Sequence, residues 1–376
     1  MLVCAALAAA ALVPASSGRA SSTAVSKLQG ELNALVRMPS GPPGAIAIVQ
    51  RGGRETVYNA GVAELGTSTP VTAADHMRIA STSKAFSGAV ALALVAQHRL
   101  SLDDTIARLL PSLPKAWGGV TLRELLDHTS GLEDFSDDPA FLDYLVKNLH
   151  ATPSPTFILH FIADTMPRFT PGTAYRYSNT DNFVIALMAE AATHRSYTQL
   201  LARYVLRPLA LGGTSLPSSF AMPSPYLHGY DLSPPPAEDV SELVSAAYAW
   251  ASGGIVSTPA DLTRFIRAYA AGRLFSPAVR AAQLEFVPGN SEPIGPGINS
   301  AGLGIFRYRT PCGTVYGHTG NISGYTQFMA AGPDGRASVT VSISEQATNK
   351  SKTEALRNVF ARLRALESDA VCLALR

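Results

Sequence analysis

Charged residues are scarce in this sequence. Lysine, arginine, aspartate and glutamate together make up 15% of its 376 residues, and the formal net charge is only +2. Proteins that hold nucleic acid through surface charge carry basic blocks or stripes, and the sequence contains neither. We therefore expect no nucleic-acid partner. Because 47% of the residues are hydrophobic, the chain is able to bury a large core.

Long apolar segments are also rare, and a clear one stands at the N-terminus, MLVCAALAAAALVPASSGRASSTA. Its apolar part is too short to span a bilayer, and small residues follow it. Such a segment is typical of a secretory signal peptide, with cleavage after Ala15 or Ala20. We therefore expect residues 1–20 to be a signal peptide and the protein to be secreted, with no stable membrane insertion. The alternative is an N-terminus that is disordered or docked on the core.

Only three cysteines occur. Cys4 would leave with the signal peptide, so the exported chain would keep Cys312 and Cys372, which permit one disulfide. Such a bond would tie the end of the chain to a strand region and stabilise the fold by roughly 4 kcal/mol. Two free buried thiols are the alternative.

Strand-like patterns occur near both ends of the chain, and helical patterns lie between them. Residues 44–65 predict a hairpin that turns at Gly52 and Gly53. Four further strand-like runs come late in the chain: GLGIFRYR, GTVYGHTG, GYTQFMAAG and ASVTVSISEQ. Helices are predicted at 81–98, in TLRELLDHTSGL with Gly131 at its end, and in DNFVIALMAEAAT, SYTQLLARYVLRPL, TPADLTRFIRAYAAGRL and KTEALRNVFARLRALE.

This order predicts an α+β fold, in which both chain ends build one antiparallel sheet. A single catalytic domain would extend from about residue 25 to 376. Its sheet lobe would comprise about 25–77 and 255–376, and its helical lobe about 78–254. A cleft between the lobes is the natural place for a site.

The segment RIASTSKAFSG, at 78–88, contains the first candidate site residues. Ser81 and Lys84 are three apart and share a helix face. A partly buried lysine loses its proton more easily, so Lys84 could activate the Ser81 hydroxyl. The spacing alone is weak, because Ser112 and Lys115 share it in a proline-broken loop. A capping serine beside a solvated lysine is the alternative.

Two further motifs strengthen this interpretation. In TPGTAYRYSNTDN, Tyr177 could relay a proton and the Asn179 amide could hold a peptide carbonyl. In VYGHTGNISGY, His318 and Thr319 precede Gly320, which would let another backbone approach closely. Each motif alone also has a structural explanation. The first could be a loop tyrosine followed by a turn asparagine, and the second could be an ordinary glycine-rich strand end.

Together the three motifs resemble S-x-x-K, the S-D-N element and the K-T-G element of serine β-lactamases and penicillin-binding proteins. The chain resembles their class C-like branch, and within it the secreted D-alanyl-D-alanine carboxypeptidases of actinomycetes. The segments RIASTSKAFSG, LRELLDHTSGL, PGTAYRYSNTDNFVIA, GGIVSTPADL and CGTVYGHTGNISGY occur in the same order, and the likeness covers roughly residues 25–374.

The resemblance implies a fold and a set of roles. The fold would be a five-stranded antiparallel sheet flanked by helices, plus an all-helical lobe. Ser81 would be the acylated nucleophile, Lys84 and Tyr177 would carry its proton, and Asn179 would position the substrate amide. His318 would take the place of the usual lysine, Thr319 would contact the substrate end, and the N–H groups of Ser81 and Asn321 would form the oxyanion hole. Cys312 and Cys372 would be the family's disulfide pair.

His318 differs from that lysine because an imidazole ordinarily titrates near neutrality, so a charge role there would depend on pH. The family needs no metal or cofactor. The sequence also lacks H-E-x-x-H, a Walker loop and G-x-S-x-G.

One departure bears on substrate. In the carboxypeptidases, an arginine six residues before the first cysteine pairs with the substrate's free carboxylate. Here that position is Phe306, and Arg307 follows it. Strand alternation would point Arg307 to the opposite face unless a one-residue bulge restored it, in which case Arg307 would bind substrate.

The sequence therefore supports several functions. The first is a secreted D-Ala-D-Ala carboxypeptidase acting on peptidoglycan stem peptides, with β-lactams as covalent inhibitors. The same chemistry also suits a D-stereospecific peptidase or amidase, an esterase, a β-lactamase or a peptide-cyclising acyltransferase. A catalytically idle penicillin-binding module is the remaining alternative, but such a module has no chemical need for Ser81, Lys84 and Tyr177 together.

Overall fold

An antiparallel sheet built from both ends of the chain dominates the computed structural model, which describes residues 27–233 and 235–376. The predicted signal peptide at 1–20, with Cys4, lies outside these residues. The strands are β1 (Gly44–Arg51), β2 (Arg54–Gly61), β3 (Met77–Arg78), β4 (Tyr230–Asp231), β5 (Glu238–Asp239), β6 (Val256–Ser257), β7 (Val287–Pro288), β8 (Ile298–Gly302), β9 (Ile305–Thr310), β10 (Gly313–Ile322), β11 (Tyr325–Ala331) and β12 (Ser338–Ile343).

The large sheet has the order β2-β1-β12-β11-β10-β9-β8-β7. The fold class is confirmed, and the hairpin and all four late strand runs join this sheet. It has eight strands, however, where the resemblance implied five. The unpredicted β7 and β8 extend the edge beyond β9, and the INSAG sequence of β8 lacks the alternation that marks a strand.

Helices cover both faces of the sheet and fill the middle of the chain. They are α1 (27–35), α2 (Ser83–Ala96), α3 (Ile106–Leu109), α4 (Leu122–Leu126), α5 (Pro139–Lys147), α6 (Pro155–His160), α7 (Asn179–Thr193), α8 (Tyr197–Leu201), α9 (Trp250–Gly253), α10 (Pro259–Ala270), α11 (Pro277–Gln283) and α12 (Glu354–Leu375). Within the described residues, no helix has both the length and the apolar character needed to cross a bilayer.

The core has two main parts because the sheet is covered on both sides. Helices α1 and α12 pack on one face, where Leu32, Phe360 and Phe328 are buried together. Helix α10 packs on the other face, and the Thr258 side chain caps its N-terminus. Strand β11 is therefore buried at every position, since side chains on both of its faces meet helices.

Helix α2 runs through the centre of the helical part, and nearly all of its residues are buried. Its uniformly apolar sequence predicts this position. Phe86 stacks on Phe265 of α10 with ring centroids 3.7 Å apart. The Asn182 amide of α7 donates to the Ser87 hydroxyl of α2 at 2.7 Å. Helix α7 is therefore held alongside the start of α2, where Ser81 and Lys84 lie.

One helix end differs from its prediction. Helix α4 stops at Leu126, five residues before Gly131. His128 adopts the left-handed conformation, with φ of 61°, and the next N–H, from Thr129, donates back to the Glu124 carbonyl at 2.8 Å. This is the closing bond of a Schellman-type helix end with a histidine in the usual glycine position. Gly131, also at positive φ, shapes the loop that follows.

The structure brings Cys312 and Cys372 together with disulfide geometry, their Cα atoms 5.1 Å apart and 60 positions apart in sequence. We predict that the isolated protein contains this bond. Cys372→Ser should lower the free energy of unfolding by about 4 kcal/mol in urea titrations, because an open loop gives the unfolded chain more conformations. Wild-type protein treated with reductant should match the variant. Two titratable thiols in the unfolded, unreduced wild type would contradict the prediction.

Candidate active site

Ser81 lies in a single turn of 3-10 helix, Ala80–Thr82, directly before α2. Ala80 has a positive φ of 49°, a conformation that non-glycine residues seldom adopt. Such a conformation is kept only where the surroundings enforce it, and it is common at functional sites. Here it turns the chain sharply from β3 into α2 and presents the Ser81 side chain at the cleft.

Gly320 allows β10 to pass close behind this turn. A Cβ atom at Gly320 would lie 2.4 Å from the Ile79 carbonyl oxygen and 3.2 Å from the Ser81 amide nitrogen. Any side chain would therefore push the Ser81 turn away from the sheet. The predicted close backbone approach at Gly320 is confirmed, and it places the next residue, Asn321, beside the nucleophile.

Lys84 holds the centre of the site. Its side chain is only 1% exposed, and Nζ lies 3.0 Å from Ser81 Oγ, 2.6 Å from Asn179 Oδ1 and 2.9 Å from the Ser252 carbonyl oxygen. Burial lowers the pKa of Lys84 to about 7, although the negative charges of nearby carboxylates oppose this shift. At neutral pH a large fraction of Lys84 is therefore an uncharged amine able to accept the Ser81 proton.

Tyr177 completes the group around Ser81. The Lys84 Nζ atom lies 4.9 Å from the centre of its ring. The hydroxyl is buried and makes no hydrogen bond within the described residues, so it is free to meet a substrate atom. Burial raises its pKa well above the usual value, although the adjacent Ser81 hydroxyl opposes the shift. Tyr177 is therefore protonated at neutral pH and suited to donate a proton rather than to accept the first one.

Asn179, the first residue of α7, holds Lys84 in place. Its side-chain oxygen accepts from Lys84, while Nδ2 lies 3.0 Å from Asp134 Oδ2 and 3.1 Å from Ser136 Oγ. The backbone N–H of Asn179 also donates to Asp134, at 2.9 Å. Both ends of the amide are thus engaged within the protein, and Asn179 positions the lysine. Contact with a substrate amide, which the sequence predicted, would have to displace the bonds to Asp134 and Ser136.

Asp134 and a second polar group were missed from the sequence. His128 Nδ1 lies 2.7 Å from Asp181 Oδ2, and the Ser130 hydroxyl donates to Asp181 Oδ1 at 2.5 Å. The His128 ring lies 4.6 Å from the Tyr177 ring and supports it from behind. Burial lowers the pKa of His128 to about 3, so this support is uncharged. The sequence offered one signal for this group. The segment LRELLDHTSGL was among those that resemble the family, but no role was assigned to its residues.

Two predicted contacts in β10 require correction. Burial lowers the pKa of His318 to about 3, so the ring is neutral and does not titrate near neutrality. Its Nδ1 lies 2.6 Å from the Thr319 carbonyl oxygen, and the ring packs edge-on against Phe306. The Thr319 hydroxyl is fully buried and donates to the Pro293 carbonyl at 2.5 Å. Thr319 therefore anchors the 290–294 loop, and neither side chain lines the cavities at Ser81 in the described structure.

Arg307 does not face the site either. Each residue from Phe306 to Thr310 is paired in register with β10, so the strand runs without a bulge. Alternation therefore places Phe306 on the side of His318 and Tyr177, and Arg307 on the opposite side. There its guanidinium lies 4.4 Å from the centre of the Phe286 ring. Arg307 therefore lies away from the cavities at Ser81, as strand alternation without a bulge predicts, and the structure offers no contact through which it would bind substrate there.

Two cavities meet at Ser81, and Asn179 and Asn321 line both. The first, which we call the polar cavity, has a volume of about 330 Å³ and is the more polar of the two, with Tyr177, Glu292 and Lys350 in its wall. The second, of about 560 Å³, is mostly apolar and is lined in part by Phe135, Leu142, Leu145, Val240, Val244 and Ile322. A substrate that spans Ser81 would place one half in each cavity.

The position of the proton donor indicates which half of a substrate each cavity would hold. When a peptide or amide bond breaks, the leaving nitrogen must gain a proton. Tyr177 lines the polar cavity but not the apolar one, so the leaving group belongs in the polar cavity. The acyl group that becomes attached to Ser81 then belongs in the apolar cavity.

No group of three or more metal-ligating side chains is assembled within residues 27–233 and 235–376. The described side chains nevertheless provide a complete set for acyl transfer. We expect Lys84 to accept the serine proton and Tyr177 to donate to the leaving group, and the backbone beside Gly320 lies where an oxyanion would form. The oxyanion hole of the Ser81 and Asn321 N–H groups stays a prediction.

The lowered pKa of Lys84 gives the site a testable pH dependence. We expect kcat/KM to rise with pH through an apparent pKa near 7, because only the uncharged amine accepts the Ser81 proton. A chromogenic ester or penicilloyl labelling followed by mass spectrometry would provide the profile, with Ser81→Ala as the blank. His318→Gln should leave the apparent pKa unchanged, since the ring is already neutral. A profile that is flat between about pH 5 and 9 would refute this role for Lys84.

Comparison with known proteins agrees with this geometry. The Beta-lactamase family model matches residues 32–364. A β-lactamase of Escherichia coli K12 is 26% identical over 234 residues, and a D-aminopeptidase of Brucella canis is 28% identical over 184 residues. The matches cover 62% and 49% of this chain but only 58% and 35% of those proteins, so in both cases less than two thirds of the relative is matched.

A solved structure is similar over a larger share. The D-stereospecific amidohydrolase from a Streptomyces species superposes with a TM-score of 0.75 and is 30% identical, covering 85% of this chain and 94% of that protein. The family model covers most of this chain, and the structure brings Ser81, Lys84 and Tyr177 together. The chain therefore belongs to the β-lactamase family of serine hydrolases.

Proposed function

We propose that the protein is a secreted D-stereospecific peptidase or amidase that forms an acyl-enzyme at Ser81. The observation that supports this proposal most directly is the character of the leaving-group cavity, which contains the Glu292 carboxylate and lacks Arg307. A carboxypeptidase substrate would bring a free carboxylate into this cavity. Glu292 repels such a group, whereas an amide or a continuing peptide carries no charge there.

The polar cavity has one cation in its wall, Lys350, but Glu292 already pairs with it at 3.4 Å. The pair is exposed, so the attraction between the two groups is modest. A second candidate function uses this lysine. A D-Ala-D-Ala carboxypeptidase acting on peptidoglycan stem peptides, the first function considered from the sequence, would require Lys350 to leave Glu292 and bind the terminal carboxylate.

Stereospecificity for D-residues is proposed from the relatives. The D-aminopeptidase and the D-stereospecific amidohydrolase to which this chain is similar both act on D-substrates by name. β-Lactams are expected to acylate Ser81 as well, because the same serine, lysine and tyrosine would attack their strained amide. Secretion rests on the signal-peptide pattern at 1–20, and detection of a mature N-terminus near residue 16 or 21 in the culture medium would test it.

A paired assay separates the two candidates. One peptide ending in two D-alanines is offered as the free acid and as the C-terminal amide, and release of D-alanine or D-alanine amide is measured. We expect the amide to be cleaved with a kcat/KM about tenfold higher or more, since a like charge at the leaving group costs roughly 1–2 kcal/mol.

Variants of the charged residues in the polar cavity test whether Glu292 causes the preference for the amide. Glu292→Gln should raise cleavage of the free acid and leave cleavage of the amide nearly unchanged. Glu285→Gln is the matched control, because this exposed carboxylate pairs with Arg123 and does not line the cavity. Preference for the free acid in the wild type, lost in Lys350→Gln, would instead identify a carboxypeptidase.

The apolar cavity predicts the acyl residue. At about 560 Å³ it has room for an aromatic or long aliphatic side chain, so anilides of D-phenylalanine should be cleaved faster than those of D-alanine. Val244→Phe would fill part of the cavity and should lower kcat/KM for the D-phenylalanine substrate by about tenfold, with little effect on D-alanine. Val146→Phe is the matched control, since Val146 is 65% exposed. Equal losses for both substrates would argue against this assignment.

A further inference from the structure

A third cavity adjoins the catalytic cleft. It has a volume of about 370 Å³ and is lined by strongly polar groups, among them Asp231, Glu345, Gln346, Lys350 and Lys352. We call it the acidic basin, after its two carboxylates. Gln346 lines the apolar acyl cavity as well, and Lys350 also lines the leaving-group cavity. The acidic basin is therefore continuous with the surfaces on which a substrate would lie.

Glu345 is the unusual residue of the acidic basin. It is 2% exposed, and its Oε2 atom has no hydrogen-bond partner in the described structure. Every other buried carboxylate within residues 27–233 and 235–376 accepts a hydrogen bond or forms an ion pair. These are Glu31, Asp75, Asp104, Asp127, Asp134, Asp181, Asp261 and Glu367. Glu345 alone has neither an ion pair nor a side-chain donor in this part of the protein.

A buried carboxyl oxygen without a donor is costly, because it has lost its hydration and no hydrogen bond replaces it. Burial, together with the nearby charge of Asp231, raises the pKa of Glu345 to about 8, while the Gln346 amide N–H lowers it slightly. The two lysines in the wall do not compensate. Lys350 pairs with Glu292 on the side of the catalytic cleft, and Lys352 forms no ion pair with Glu345 in the described structure.

A ligand that brings both positive charge and N–H donors would satisfy this group. Two carboxylates are too few to hold a metal ion through protein ligands alone, and no larger metal-ligating group occurs in the described structure. A primary ammonium group has three donors and fits between two carboxylates. From the unpartnered carboxyl of Glu345, the neighbouring Asp231 and the continuity with the cleft, we infer that the acidic basin binds a primary alkylammonium group.

The position of the acidic basin indicates where this group would come from. The apolar acyl cavity and the basin share Ser323 and Gln346 at the β10–β11 turn. The ammonium would therefore belong to the acyl half of the substrate, either as a lysine-type side chain or as a free peptide N-terminus. This second step rests on the proposed function, whereas binding of an ammonium group to the basin does not.

The binding step is tested without any hydrolysis. Protein labelled with ¹³C at the glutamate carboxyl carbon is titrated with n-butylammonium at pH 7, and n-butanol serves as the uncharged isostere. The Glu345 resonance is assigned by its loss in Glu345→Gln. We expect n-butylammonium to shift this resonance toward the carboxylate position and to lower the pKa of Glu345, because a bound cation favours the charged form.

The controls decide the outcome. Asp231→Asn should weaken the response to n-butylammonium by about tenfold, the value of one hydrogen bond to a charged group. Glu64→Gln, which removes a carboxylate that does not line the basin, should leave the response to n-butylammonium unchanged. A Glu345 resonance that responds to neither compound, or equally to both, would overturn the inference whatever the protein hydrolyses.

The substrate step needs a kinetic comparison. Peptide esters with the same D-residue at the acyl position would carry lysine or norleucine at each upstream position, with the N-terminus free or acetylated. At one upstream position of the peptide, lysine should give a kcat/KM about tenfold higher than norleucine. This preference should disappear in Glu345→Gln, whereas cleavage of the norleucine peptide should persist. Preference for the free N-terminus instead would identify the terminal amine. Cleavage of all peptides without any such preference would refute the role in substrate binding but not the proposed function.

Discussion

The active site depends on the burial of one lysine. Lys84 is surrounded by protein, and its ammonium form is disfavoured because the side chains and carbonyls around it replace only part of its hydration. The same three contacts that fix Nζ, with Ser81, Asn179 and Ser252, tie together the turn before α2, the start of α7 and helix α9. A single buried amine therefore joins three segments of the helical half and also sets the reactivity expected of the serine.

Few of the other side chains around Ser81 carry a free charge. His128 and His318 are neutral, Tyr177 is protonated, and the carboxylate of Asp134 is engaged by Asn179. The ionised groups that line the described cavities are few: Glu292 and Lys350 in the leaving-group cavity, Arg78 in the acyl cavity, and the charged residues of the acidic basin. Chemistry and selectivity are thus separated in space, so that substrate preference could change without disturbing the acyl-transfer machinery.

The sequence predicted those features of the site that follow from the spacing of residues close together in the chain. Ser81 and Lys84 share a helix face, Gly320 permits a close backbone approach, and strand alternation correctly placed Arg307 away from the site unless a bulge intervened. The failures concern long-range burial. Nothing local to His318 shows that its ring would be enclosed by Phe306 and Tyr177, or that the Thr319 hydroxyl would be used by Pro293. Asp134 was missed for the same reason, because its partner Asn179 is 45 positions away.

Strand β1 pairs with β12, and the Gly44 N–H donates to the Ser344 hydroxyl 300 positions later. The sheet that backs Ser81 therefore closes only after nearly the whole chain is available, which gives the fold a high contact order and a slow search for its native pairing. Strand β10, which lies beside the nucleophile, belongs to the same sheet through its pairing with β9 and β11. We therefore expect reactivity toward acyl donors to appear late in folding, once both ends of the chain are present.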